Sequence, residues 1–185
     1  IEGVSYQNDI DQLILLGTPF FGIPSAYKAL EGGQISFGNP ISDGLAQALL
    51  NQEAKDAGYA NTFSYIQNRP TSSFKEIIPA FTNYLLDSSF TELPYPTGYP
   101  QNNFLENLLT NLSSILTKVV MQTVLSDDGL AQTPSQFATT PSTEAPLWPH
   151  GQPTLTLTDA GDGLVTRSSI ENLIGVANLE LSGSH

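Results

Sequence analysis

Four consecutive large apolar residues, Leu13-Ile14-Leu15-Leu16, closed at once by Gly17-Thr18-Pro19, restrict the fold more than any other stretch of this chain. An uninterrupted apolar run bounded by glycine and proline fits a strand buried on both faces, as in a parallel sheet sandwiched by helices. The run predicts a central strand of an α/β protein. Gly22 and Pro24 then turn the chain out of the sheet at the strand's carboxyl end, where open parallel sheets bind their ligands. Phe20 and Phe21 stand at that exit. They either bind an apolar substrate or pack under a loop.

Two further strand patterns lie near the other end of the chain. Residues 154–158, Thr-Leu-Thr-Leu-Thr, alternate with the period of a strand and deliver Asp159 and Asp162 to their carboxyl end. A short helix is predicted over 168–173, and a strand over 176–181 leads toward His185. If these two strands are parallel neighbours, the acid and the imidazole emerge from one sheet edge, because a crossover of this length is normally right-handed.

Between the first strand and this region, breakers divide the chain into short helices. One or two turns are predicted over 25–30, then a helix capped by Asp43 and running to about 56. Another covers 61–67 and is stopped by Arg69-Pro70, since the residue before proline is pushed out of the helical region. Ser73 and Glu76 have the spacing of a capping box for a helix ending near Pro79. Three prolines and a glycine in 93–100 exclude regular structure there. Phe104, Leu105, Leu108, Leu109, Leu112, Ile115, Leu116, Val119, Val120 and Val124 then hold one face of a helix expected over 103–125. That face either packs on the core or forms a lid over a lipid-binding cleft. Residues 133–153 read as a Pro/Thr/Ser-rich connection carrying Trp148 and a loop residue, His150.

Composition narrows the function. With 18 acidic and 6 basic residues the net charge is -12, which repels nucleic acid and anionic membrane surfaces. No apolar run is long enough for a transmembrane helix, and the first residues lack the basic start and apolar core of a signal peptide. The absence of an initiating methionine points to processing or truncation upstream. There is no cysteine, so disulfides and Cys-ligated metals are excluded. Few lysines among many Ser, Thr, Asn and Gln lean toward a secreted or extracytoplasmic protein. A length of 185 residues suits one domain, complete or partial.

Asp162 and His185 have the chemistry of the downstream half of a charge-relay system, in which a carboxylate orients an imidazole that takes a proton from a serine. The nucleophile's Gly-x-Ser-x-Gly elbow occurs nowhere in the chain. Residues 13–22, Leu-Ile-Leu-Leu-Gly-Thr-Pro-Phe-Phe-Gly, resemble the strand and Thr-Pro-His-x-Gly turn that follow the nucleophile in α/β-hydrolase lipases. The lecithin:cholesterol acyltransferase-like branch is the nearest match: Ser72-Ser73 and Ile78-Pro79 resemble its cap, and Gly161-Asp162-Gly163-Leu164-Val165 resembles its Gly-Asp-Gly-Thr-Val motif. The resemblance departs where Phe20 or Phe21 replaces the turn histidine and Leu164 the motif threonine.

The resemblance implies a partial α/β-hydrolase domain over 1–185, with sheet strands near 13–17, 154–158 and 176–181 and a helical cap insertion over about 25–150. It implies Asp162 as triad acid, His185 as general base, an ester or lipid substrate, no cofactor, and an upstream hydrolase segment that supplies the serine. Two other readings compete. Asp159, Asp162 and Asp127-Asp128 could bind calcium, although they lack the alternating ligands of an EF-hand loop. Alternatively, the chain is a non-catalytic accessory or binding domain, in which Asp162 caps the following helix and His185 is an ordinary residue.

Overall fold

The computed structural model describes residues 10–36, 39–69, 73–81, 83–171, 173 and 175–183. In chain order its elements are β1 (Gln12–Leu16), α1 (Ala26–Gly32), α2 (Pro40–Asp56), α3 (Thr62–Asn68), α4 (Ser73–Ile77), β2 (Leu85–Leu86), α5 (Asn103–Leu116), β3 (Val120–Asp127), β4 (Thr133–Thr140), β5 (Gln152–Asp159), α6 (Ser168–Glu171) and β6 (Ala177–Ser182). The chain is a mixed α/β protein with two three-stranded sheets, ordered β1-β3-β6 and β2-β4-β5.

The first sheet is wholly parallel, with Leu16 beside Val124 and Val124 beside Leu179. Its middle strand differs from the sequence expectation. The helix expected over 103–125 stops at Leu116, and the residues from Val120 onward form β3. Val119, Val120, Thr123 and Val124 are β-branched and stiff at χ1, which favours a strand, and Met121, Thr123 and Leu125 alternate into the core.

The strand expected near 154–158 exists as β5 but lies in the second sheet, antiparallel to β4. Residues 133–140, expected as a connection, are β4 itself. The span 25–150 therefore holds strands β2, β3 and β4 besides its helices.

Side-chain caps place the helix starts. Asn39 Oδ1 accepts from the amides of Ile41 and Ser42, and Pro40 follows it, so α2 begins before the expected cap, Asp43, which sits in the first turn. Asn61 caps α3 through Ser64 N, and Arg69 is extended at the other end, as its following proline requires. The side chain of Ser73 lies outside the described residues. Asn102 serves twice: Oδ1 accepts from Leu105 N at 3.0 Å to start α5, while Nδ2 donates to Ile78 O at 2.6 Å to pin that start to the end of α4.

The two faces of the parallel sheet are unequal. Leu15 and Met121 share one face, where Leu108, Leu112 and Ile115 of α5 pack into the same apolar cluster with Phe20 and Leu173. Leu125 continues that face into a second cluster with Ile23, Val165 and Ile170. The apolar stripe of α5 therefore lies on the flat side of the sheet, so the lid expectation for this helix gives way to the core reading. Only three residues join α5 to β3, too short a link for the helix to leave that face.

The opposite face carries Ile14, Leu16, Val120, Leu179 and Leu181, all exposed, Leu16 at 71% and Val120 at 66%. Within the described sheet β1 is an edge strand rather than the expected central one, and of its apolar run Leu15 alone is half-buried, the rest being exposed.

The second sheet encloses an aromatic core of Tyr27, Tyr84, Leu85, Tyr99, Phe137 and Trp148. Tyr27 lies at its centre, stacked on Phe137 at 6.0 Å and edge-on to Tyr84 at 6.2 Å. A fourth cluster, built on Ala26, Leu30, Ala54, Tyr65, Ile66 and Ile78, joins α1, α2 and α3.

Candidate functional site

All three strands of the parallel sheet run the same way, so their carboxyl ends share one edge. Gly17 N donates to Val124 O at 2.9 Å where β1 ends, and Gly183 N donates to Asp127 O at 3.0 Å where β6 ends. Between these strands, β3 ends at Asp127, and Asp128 N donates to Gly161 O at 2.9 Å. That bond brings the loop of residues 160–167 to the carboxyl edge. The acid loop thus reaches the edge through β3, although the strand that precedes it in sequence, β5, belongs to the other sheet.

The loop is closed by its own backbone. Arg167 N donates to Ala160 O at 2.9 Å and Asp162 N to Val165 O at 3.3 Å, while Gly161 and Thr166 form an antiparallel bridge. Asp162 is 2% exposed, and its Oδ1 accepts from Leu164 N at 3.0 Å and Val165 N at 2.8 Å. Two amides on one oxygen fix the rotamer of the side chain. This is a turn of its own, since α6 begins only at Ser168. Gly161 has to be a glycine: a Cβ there would lie 2.3 Å from Val165 O and 2.6 Å from Thr133 Oγ1, the oxygen that accepts from Gly163 N.

The other expected site residues fall as follows. His185 lies outside the described residues; the chain is described to Gly183, two positions earlier and beside Asp127. Phe20 is buried with Met121 and Leu173 beneath α5. Phe21 is half-buried, edge-on to Phe81 at 6.5 Å. Its amide meets Ser169 O at 3.4 Å, and Ser169 Oγ donates to Gly22 O at 2.9 Å, so the turn after β1 is stitched to α6 beside the acid loop. Among the described residues no three His, Cys, Asp or Glu side chains cluster to hold a metal. Asp127, Asp128 and Asp159 each give one oxygen to a nearby backbone amide.

Two features were not expected from the sequence. Arg167 packs its guanidinium against three carboxylates, with Nε on Glu171 at 2.6 Å, Nη1 and Nη2 on Glu180 at 2.9 and 2.8 Å, and Nη1 at 3.6 Å from Asp127. The Arg167–Glu171 spacing of four was legible on a helix, but the reach to β6 was not. His150, expected as a loop residue, sets its ring Nδ1 3.1 Å from Oε2 of Glu31, a carboxylate 4% exposed.

No family model matches the chain, and no curated protein matches it either. Among the described residues no helix is long and apolar enough to cross a membrane.

Proposed function

We propose that this chain is the acid- and base-bearing portion of a serine carboxylic-ester hydrolase of the α/β-hydrolase type, resembling the lecithin:cholesterol acyltransferase-like branch in its motifs. The observation that carries the reading is the shared carboxyl edge: the Asp162 loop is bonded through Gly161 O to Asp128, one residue past β3, and β6 ends beside Asp127, three positions before His185 in sequence. In chain order a Thr-Pro turn after β1, then Asp162 on a loop bonded just beyond β3, then β6 ahead of His185 in sequence agree with the acid-before-histidine order of that superfamily.

In the reaction, a serine from upstream polypeptide attacks the ester carbonyl while the His185 imidazole takes its proton. Asp162 holds the ring tautomer and stabilises the imidazolium. Collapse of the tetrahedral intermediate returns the proton to the leaving alcohol, and water repeats the sequence on the acyl-enzyme. Backbone donors outside this chain hold the oxyanion.

The bare sheet face supports the upstream segment. Parallel sheets are covered on both sides, yet Ile14, Leu16, Val120, Leu179 and Leu181 lie open and β1 has a free edge among the described residues. A further strand on β1 and a helix over that face would complete the sheet and bring in the nucleophile. An apolar substrate is supported by α2, which turns Ile41, Leu45 and Leu49 outward at spacings of four, while Gln47 on another side of the helix bonds Ile35 N and Gly33 O.

The test is hydrolysis of p-nitrophenyl butyrate by this chain and by the natural chain extended upstream. The short chain should be inactive, because an oriented base alone contributes only about 10²- to 10⁴-fold. The extended chain should turn over, and Asp162→Asn should lower kcat by about 10⁴-fold. Extended-chain turnover unaffected by His185→Ala would reject the base. The competing accessory-domain reading draws on the two amides that Asp162 holds within its own turn; it predicts that the extended chain is inactive as well.

A further inference from the structure

We propose that the cavity lined by α1 and β5 is a binding site for a small carboxylate ligand, held by the Lys28 ammonium and the Thr156 hydroxyl beside Trp148. The cavity has a volume of about 240 Å³, its lining includes Lys28, Gln34, Trp148, Gln152, Leu155 and Thr156, and it shares no residue with the acid loop. That volume is below the roughly 300–1,000 Å³ of drug-sized pockets and suits one ring or short chain bearing an acid group. The decisive group is Lys28 Nζ. It donates to Thr156 Oγ1 at 3.2 Å and stands 5.0 Å from the centroid of the fully buried Phe137 ring. No described carboxylate forms an ion pair with it, although acids outnumber bases 18 to 6 in this chain and Arg167 alone gathers three. Desolvation lowers the Lys28 pKa, and the charge of Asp43 offsets only part of that effect. A partly buried ammonium in this state gains by taking an anion.

Other donors in the lining are also unspent. Thr156 Oγ1 accepts from Lys28, and its own hydroxyl proton has no described acceptor. Trp148 is 3% exposed and its indole Nε1 donates to no described group; Tyr84 Oη is the one fully buried side-chain polar atom without a partner among the described residues, so the indole N–H reaches open space. The side-chain amides of Gln34 and Gln152 likewise have no described partner. The lining contains no Asp or Glu to take these donors. One cation among neutral donors matches a single negative charge, and Trp148 and Leu155 add apolar surface for the body of the ligand.

The experiment is an NMR titration of this chain with benzoate, read at the indole N–H of Trp148, which is the only tryptophan and so gives a single resonance. Benzamide serves as the uncharged isostere and inorganic phosphate as the competing anion. Benzoate should shift the resonance saturably, with a midpoint on the order of 1 mM for so small a ligand, and benzamide should bind about tenfold more weakly or worse. Lys28→Met keeps the apolar stem against Phe137 and removes the charge; it should weaken benzoate by about tenfold or more. If that variant does not fold, Gln152→Glu decides: it sets a negative charge in the lining and should weaken benzoate by about fivefold or more. No saturable shift with benzoate up to about 10 mM, equal binding of benzamide, or benzoate binding unchanged in Lys28→Met would overturn the site. Phosphate with the same midpoint as benzoate would show an unselective ion contact and overturn the carboxylate assignment. The measurement needs neither a nucleophile nor His185, so its outcome is independent of the hydrolase reading.

Discussion

Replacing Tyr84 by phenylalanine should stabilise the protein, whereas the same change at Tyr27 should weaken it, although the two rings touch. Both side chains are fully buried in one aromatic cluster, 6.2 Å apart between centroids. Their hydroxyls differ. Tyr27 Oη donates to Gly151 O at 2.6 Å, while Tyr84 Oη has no hydrogen-bond partner among the described residues. Tyr27→Phe deletes a bond and strips that buried carbonyl of its donor, at about 1–2 kcal/mol. Tyr84→Phe keeps the ring contacts and removes a desolvated hydroxyl, a gain of about 1–2 kcal/mol. The variants should thus differ by about 2–4 kcal/mol, which at a urea slope of about 2 kcal/mol/M separates their midpoints by about 1–2 M. Equilibrium urea unfolding followed by circular dichroism measures this. A Tyr84→Phe midpoint at or below that of the parent would refute the reasoning, since it would mean that the hydroxyl has a partner.

The same burial predicts alkaline sensitivity. Desolvation raises both phenols above their ordinary range, with nearby Glu31 adding to the effect at Tyr27, so the folded protein keeps protons that the unfolded chain releases near pH 10. Stability should be intact below about pH 10 and fall above it by about 1.4 kcal/mol per pH unit for each such tyrosine, with Tyr84→Phe falling less steeply; a flat parent curve to about pH 11 would contradict this. Gly161→Ala should cost about 1–3 kcal/mol through its clash with Val165 O and Thr133 Oγ1, and should shift the amide resonances of Leu164 and Val165; unchanged spectra would show that the acid loop does not need the glycine. Leu16→Lys with Leu179→Lys, charges set in one row of the bare sheet face, should weaken concentration-dependent association of this chain in sedimentation velocity, and equal association in both would show that the face is not sticky.

The sequence by itself pointed to the strands near 13–17 and 176–181, the short helices between breakers, and the glycine-flanked aspartate, because each rests on local chemistry: an apolar run, a period of two, prolines that stop helices, glycines on both sides of an acid. It misread 117–125, where Val119, Val120 and Val124 satisfy the helical period and the β-branched preference of a strand alike; only the neighbours Leu16 and Leu179, each beside Val124, decide between them. Which strands pair was likewise invisible. Thr154 to Thr158 alternate as any half-buried strand does, and nothing local assigns them to β4 rather than to β6. The candidate site shows the same division. Asp162 was legible from its motif, but its placement at the end of β3 depends on Asp128 N meeting Gly161 O across 33 residues of chain, with β4 and β5 between them. Nothing local set Arg167 apart; the fold brings Asp127, Glu171 and Glu180 around it. A hydrogen bond or ion pair between distant segments depends on distance in space, and that distance is fixed only when the sheet forms.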